Sequence, residues 1–73
     1  MVLDKVTKII ATVFQVGYSD IAADRDLMAY GMDSARAMDL VIALEDTFNV
    51  EIPDALIMQL RTINDIVVAL ESL

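Results

Sequence analysis

Cysteine and histidine are both absent from the 73-residue chain, which also has one proline, two glycines and no tryptophan. The lack of cysteine excludes disulfides, and the lack of both residue types excludes a Cys/His zinc site. Without histidine, a serine nucleophile has no general base of the usual kind. Stability must therefore come from apolar packing, for which a hydrophobic content of 58% supplies the side chains.

Long apolar runs are also missing. The longest, Leu40 to Leu44 and Ile66 to Leu70, have five residues each, whereas a bilayer span needs roughly 20. Charged residues follow Met1 closely, where a signal peptide would be apolar. We therefore expect a cytoplasmic protein without a membrane segment and a single domain over residues 1–73. The start at Met1 favours a freestanding protein, and a domain cut from a larger protein is the alternative.

Positive charge is scarce as well. Five basic residues stand against twelve acidic ones, which gives a net charge of -7. Such a chain repels nucleic acid and anionic lipid, so we expect neither as a partner. A protein partner should present basic groups, and the chain itself is expected to be a monomer. For most of the acids taken singly, solubility is explanation enough.

What is present is helical periodicity, and four helices are predicted. The first carries one buried stripe at three- and four-residue spacing and ends at Gly17. Residues 17–32 then form an ordered loop, which is long for so small a domain. The stripe of the first helix consists of Leu3, Val6, Ile10, Val13 and Phe14, and the loop is pinned by Ile21, Leu27 and Tyr30.

The second helix is predicted from Ser34 to Phe48, with Asp33 as its N-cap. Its core face comprises Ala37, Val41, Leu44 and Phe48, with Leu40 and Met38 at the border. Carboxylates alternate with small or apolar side chains on the opposite face. This stripe, flanked by Arg36 and Ala43, is a candidate docking surface, although single acids are usually solvated surface; it comprises Ala35, Asp39, Ile42 and Asp46.

After Phe48 the chain should be extended up to Pro53, because the residue before proline avoids the helical region. Asp54 is expected to cap a short third helix through Leu60. A capping box of Thr62 and Asp65 opens the fourth helix, whose shared face consists of Ile63, Ile66, Val67 and Leu70. The predicted fold class is all-α: a small four-helix bundle of three main helices and a short third one, without strands.

Ser34 is the best candidate for chemistry. At the first position of a helix, unpaired amides and the positive end of the helix dipole would stabilise a phosphate esterified to its oxygen. Asp33 is better placed to cap the helix than to relay protons, so we expect no catalytic residue but a hydroxyl that another enzyme modifies. An Asp-Ser pair also begins many ordinary helices, and Gly-x-Asp-Ser alone is a weak signal.

Two other site types are weighed against this one. Asp24 and Asp26 have the first spacing of a calcium loop, but Ala29 stands at the required glycine and Ala35 at the closing glutamate. We therefore expect no metal site. A hydrolase built on Ser34 lacks both a base and an evident pocket.

Three segments in order resemble the acyl carrier protein family: Gly-Met-Asp-Ser at 31–34, Leu-Glu-Asp-Thr-Phe at 44–48 and Val-Glu-Ile-Pro-Asp at 50–54. The resemblance covers nearly the whole chain. It implies a four-helix fold in which a phosphopantetheinyl transferase esterifies Ser34 with 4′-phosphopantetheine from coenzyme A, while Asp33 helps to orient that enzyme's substrate and metal. The arm's thiol would hold acyl groups for a loading acyltransferase or ligase and for a ketosynthase or other synthase domains.

Departures from the family's pattern bear on the subtype. Ala35 replaces a frequent leucine, Arg36 replaces an acid, and the third helix has no acid after Asp54. Residues 24–31 are similar to the lead-in of polyketide and nonribosomal-peptide carriers. We therefore favour a polyketide-type carrier; the alternatives are a fatty-acid carrier, an aryl or aminoacyl carrier, and an unmodified helical interaction module.

The expected partner surface adds two residues of ambiguous role. Arg36 either selects partners by its charge or pairs locally with an acid, and an exposed pair of that kind is worth roughly 0 to 1 kcal/mol. Met58 is expected to line the entrance for an acyl chain or to contact a partner. The whole set comprises Ala35, Arg36, Asp39, Ile42, Asp46 and Met58.

Overall fold

The computed structural model describes residues 2–73, which form four α-helices: α1 (Val2–Phe14), α2 (Ser34–Phe48), α3 (Asp54–Ile57) and α4 (Ile63–Glu71). No strand occurs in this range, and α1 packs against both α2 and α4. The predicted all-α bundle with a short third helix is confirmed. No helix over residues 2–73 has the length and apolar character needed to cross a membrane.

The core lies where the three longer helices meet. The α2 face is close to the predicted one: Val41 and Leu44 are buried, whereas Ala37 and Phe48 are only half-buried. Leu40, predicted at the border, is fully part of the core. Burial of each large side chain contributes about 1.5–3 kcal/mol. The buried cluster consists of Val6, Ile10, Phe14, Leu27, Leu40, Leu44, Ile52, Ile63 and Ile66.

The end of α1 differs from the prediction. The helix stops at Phe14 rather than at Gly17, because Gln15 adopts a left-handed conformation (φ 56°). The amide of Val16 then donates to the carbonyl of Ala11 at 3.2 Å, which is the six-to-one bond of a Schellman end. At the other end of the helix, Leu3 was predicted in the buried stripe but is 43% exposed.

The connection between α1 and α2, residues 15–33, is ordered as predicted. Leu27 is buried, and Ile21 and Tyr30 are half-buried. Two short 3₁₀ turns, Tyr18–Asp20 and Leu27–Tyr30, were not predicted.

Hydrogen bonds fasten this connection to itself and to the start of α4. The Tyr30 hydroxyl accepts from the amide of Ala22 at 2.9 Å and donates to its carbonyl at 3.2 Å. Two backbone bonds reach the start of α4, from the Leu27 amide to the Arg61 carbonyl (2.8 Å) and from the Asn64 amide to the Ala23 carbonyl (3.0 Å). The segment that leads to α2 therefore has a defined path.

The third helix is shorter than predicted. Pro53 is its N-cap and Asp54 its first residue, so Asp54 does not cap it, and the helix ends at Ile57 rather than Leu60. Beyond Ile57 the chain continues in tight turns, in which the Leu60 amide donates to the Ile57 carbonyl at 3.1 Å.

The segment before Pro53 is held by a side chain of α2. Glu45 Oε2 accepts a hydrogen bond from the Ile52 amide at 2.8 Å. Because Ile52 is buried in the core, this bond and its packing together fix the extended segment that carries the chain into α3.

The start of α4 is as predicted. Thr62 Oγ1 accepts from the Asp65 amide at 3.1 Å, and Asp65 Oδ2 accepts from the Thr62 amide at 3.2 Å. This reciprocal pair is the capping box. Of the predicted face, Ile63 and Ile66 are buried and Val67 and Leu70 are half-buried, while Ala69 is a buried member that was not predicted.

Candidate functional site

Ser34 is the first residue of α2 and is exposed. The second 3₁₀ turn ends at Gly31, whose left-handed backbone (φ 93°) lets its amide donate to the Met28 carbonyl at 3.1 Å. Asp33 is then extended (φ -148°, ψ -176°). The left-handed Gly31 and the extended Asp33 together turn the chain so that the serine lies at the start of the helix and is exposed to solvent.

Asp33 caps α2 as predicted. Its Oδ1 accepts from the Arg36 amide at 2.8 Å, and its carbonyl accepts from the Ala37 amide at 2.9 Å. Among residues 2–73, the amides of Ser34 and Ala35 have no acceptor. These two donors and the positive end of the helix dipole are free to interact with an anionic group attached to Ser34.

An apolar cavity of about 180 Å³ opens beside the start of α2. It lies between this helix and α3, and its walls carry no charged side chain; they consist of Met32, Ala37, Leu40, Val41, Ile57 and Leu60. A second cavity of about 180 Å³ shares Met32 and Leu60 and is also lined by Met28 and Met58. Met58 is 84% exposed, so its side chain stands at the rim, where an entrance residue was predicted; its role stays a prediction.

The outward stripe of α2 has the exposure that the sequence predicts. Ala35, Asp39, Ile42 and Asp46 are all exposed, and Ile42 is exposed over 58% of its surface. An apolar residue between two carboxylates is therefore presented to solvent, while its docking role stays a prediction.

Met38 was predicted to pack beside the core, and this is wrong because its side chain is 61% exposed. It lies one helical turn after Ser34 and one turn before Ile42, so the three residues share a face. The i, i+4 spacing from Ser34 was the signal that could have identified it. Met38 adds apolar surface directly adjacent to the serine.

Among residues 2–73, the Arg36 guanidinium binds the backbone rather than an acid, and its role in partner selection stays a prediction. Its side chain is half-buried, and its guanidinium donates to the backbone carbonyl of Val13 near the end of α1. Nothing in the local sequence indicates this bond, because the two residues are 23 positions apart.

No group of three or more potential metal ligands occurs within the part of the chain that the structure describes. A cavity of about 340 Å³ lies between α3 and α4. None of the sequence-predicted site residues lines it, so the predicted site and the cavities beside Met32 remain the functional candidates.

Comparison with known proteins agrees with this geometry. Residues 4–70 match the family described as "Phosphopantetheine attachment site". An acyl carrier protein of Onion yellows phytoplasma (strain OY-M) is 38% identical over 68 residues, covering 92% of this chain and 90% of the relative. An acyl carrier protein of Aster yellows witches'-broom phytoplasma (strain AYWB) is 37% identical over 68 residues with the same coverage.

The chain belongs to the acyl carrier protein family, whose attachment domain binds 4′-phosphopantetheine covalently. Members of this family are carriers rather than enzymes, and they are served by a phosphopantetheinyl transferase and by synthase or acyltransferase partners. The resemblance in the sequence is thus confirmed at the level of the family. The preference for a polyketide or peptide-synthetase subtype is not confirmed, because both relatives are named acyl carrier protein without further qualification.

Proposed function

We propose that Ser34 carries the 4′-phosphopantetheine arm and that the chain presents acyl groups, held as thioesters on the arm's thiol, to partner enzymes. The observation that carries this proposal is an exposed hydroxyl on the first residue of the 15-residue helix α2, beside two amides without an acceptor among residues 2–73. In a chain of this family, that is the serine with the surroundings a phosphodiester needs.

The attachment step divides the chemistry between two proteins. The Ser34 hydroxyl oxygen forms a bond to the phosphorus of the pantetheine phosphate, and the bond from that phosphorus to the nucleotide part of coenzyme A breaks. This chain has no histidine, and the adjacent Asp33 carboxylate is engaged as the helix cap, so we assign the serine proton to a base of the transferase. What the carrier contributes is a fixed position for the oxygen.

Once formed, the phosphodiester lies at the positive end of α2. Such an interaction contributes about 0.3–1 kcal/mol at an exposed helix terminus, enough to bias the arm's root without immobilising the arm. Asp33 assists indirectly, since its carboxylate occupies the Arg36 amide and leaves the Ser34 and Ala35 amides for the phosphate.

The cavity beside Met32 supports a second element of the proposal. Its apolar walls adjoin the start of α2, so the hydrocarbon end of a bound acyl group gains by leaving water there. Met58, at the rim of the neighbouring cavity, would contact the acyl chain or the partner that removes it.

For the pathway, we propose an acyl carrier of general acyl metabolism, such as fatty-acid synthesis. The unqualified names of the relatives support this choice. Two of the features that favoured a polyketide carrier also have structural explanations. Three residues of the 24–31 lead-in build the second 3₁₀ turn: Asp26 Oδ1 accepts from the Met28 amide at 2.8 Å, Leu27 is buried and Tyr30 binds Ala22.

Arg36, the second of these features, is engaged with the backbone of α1. A polyketide carrier remains the second candidate, on the likeness of the lead-in, on Ala35 and on the third helix without an acid after Asp54. Loading assays distinguish the two: we expect a fatty-acid-type acyl–carrier ligase and malonyl transferase to load the modified protein, and preferential loading by a polyketide acyltransferase would favour the second candidate.

Attachment itself is tested by intact mass after incubation with coenzyme A and a phosphopantetheinyl transferase of broad specificity. We expect a gain of one phosphopantetheine group in the unaltered protein and in Ser19→Ala, a matched control at an exposed serine of the first 3₁₀ turn. Ser34→Ala should gain nothing. Modification of Ser34→Ala, or no modification of the unaltered protein by several unrelated transferases, would contradict the proposal and favour an unmodified interaction module.

A further inference from the structure

We propose that Arg36 is a positioning residue for the modification of Ser34: its guanidinium ties the first turn of α2 to the end of α1 and so fixes where the serine hydroxyl stands. This inference rests on the proposed function of Ser34. It assigns to Arg36 a role within the carrier, in place of the partner selection expected from its charge.

The end of α1 needs the partner that Arg36 supplies. The last carbonyls of a helix have no amide following them in the helix. Here the Schellman end satisfies Ala11, and the Val13 carbonyl receives the guanidinium of Arg36. The last turn of α1 has no basic residue of its own, so the positive charge that favours a helix C-terminus comes from α2.

The same residue is fixed at its other end. The Arg36 amide donates to the carboxylate of Asp33, the cap of α2. Backbone and side chain of one residue therefore join the cap of one helix to the end of another, two positions after Ser34. A shift of this turn relative to α1 would move the serine with it.

Other ties of the connection do not duplicate this one. The backbone bonds of Leu27 and Asn64 fasten the connection to the start of α4. Among residues 2–73, Arg36 makes the hydrogen bond between the first turn of α2 and α1. Loss of the guanidinium would leave the α2 start joined to α1 by packing alone.

Direct contact with the phosphate is not the role of this side chain. Residues two apart on a helix lie about 200° apart around its axis, so Arg36 and Ser34 project from nearly opposite sides of α2. Its guanidinium faces α1, away from the solvent-exposed hydroxyl.

The test compares Arg36→Met with Lys5→Met in the transferase reaction. Both changes remove one positive charge, and Lys5 is exposed on α1. For Arg36→Met we expect kcat/KM for modification to fall about tenfold, mainly through kcat, and amide exchange over residues 36–40 to accelerate about tenfold, as loss of one charged hydrogen bond allows. Lys5→Met should match the unaltered protein, and Arg36→Lys, which retains a donor, should lie closer to it than Arg36→Met.

Unchanged kcat and unchanged exchange in Arg36→Met would overturn the inference. A different result would identify Arg36 as a charge that partners recognise: a raised KM with unchanged kcat, where the difference in KM from the unaltered protein disappears at high salt. If Arg36→Met does not fold, Arg36→Gln replaces it, because glutamine keeps the helix propensity but is too short to reach α1. Failure of the unaltered protein to be modified at all would refute the function of Ser34 rather than the role of Arg36.

Discussion

Leu44 and Ile42 are two residues apart on α2 but lie on opposite faces of the helix. Leu44 is fully buried in the core and Ile42 is 58% exposed on the outward stripe. Replacing each by alanine removes a similar volume of hydrocarbon from the same helix. We expect Leu44→Ala to reduce the stability of the fold with little effect on partner docking. Ile42→Ala should weaken partner docking with little effect on stability.

The magnitude follows from burial. Leucine to alanine removes three carbon atoms, worth about 2.4 kcal/mol in transfer from water, and the cavity left behind raises the cost to about 3–4 kcal/mol. A domain of 73 residues has a total stability of about 4–11 kcal/mol, so Leu44→Ala removes about a quarter of it or more. The melting temperature should fall by about 12–30 °C, whereas Ile42→Ala should change stability by less than about 1 kcal/mol.

Thermal and urea unfolding, followed by far-UV circular dichroism, measure the first effect, and partner affinity below the melting temperature measures the second. At a temperature where both variants are folded, Leu44→Ala should bind its partners nearly as the unaltered protein does. Equal losses of stability in the two variants would refute the assignment of faces on α2. A loss below about 1 kcal/mol for Leu44→Ala would refute the packed core itself.

Three further outcomes follow from the site. Ser34→Ala should leave helicity nearly unchanged, because the side chain is exposed; a large loss of circular dichroism signal would make the serine structural. Asp33→Ala should cost about 1 kcal/mol in urea unfolding through loss of the cap, whereas Asp33→Asn should cost less, and equal losses would contradict the capping role. Asp39→Lys and Asp46→Lys should weaken partner association more at low than at high ionic strength, measured by titration calorimetry; losses independent of salt would point to shape instead of charge.

Much of the fold could be predicted because its signals are local. The Asp33 cap, the box of Thr62 and Asp65 and the buried spacing of α2 each involve residues within one or two helical turns. Ser34 could be identified as a candidate for the same reason, since its position relative to the cap follows from adjacent residues. Local hydrogen bonds and periodicity depend on residues that are close together in the sequence, so no tertiary information is needed to find them.

Where the prediction was wrong or incomplete, the local conformation or exposure depends on how the segments pack together. Glutamine has no special tendency to end a helix, yet Gln15 ends α1 where the chain must turn into the connection. Asp54 resembles a cap, but Pro53 takes that position, directly after Ile52, whose amide is bound by Glu45 of α2. Met38 has the character of a core residue, and only the location of α1 and α4 leaves it facing solvent.

Sequence patterns were sufficient to identify the family, the number and order of the four helices, and the serine that heads α2. The tertiary structure alone decided what lies around that serine: the apolar cavity formed with α3 and the guanidinium bound to a carbonyl 23 residues earlier. The difference lies in how far apart along the chain the interacting residues are. Caps and periodic faces arise between neighbours in the chain, whereas a cavity wall or an inter-helix hydrogen bond exists only after separate segments have packed together.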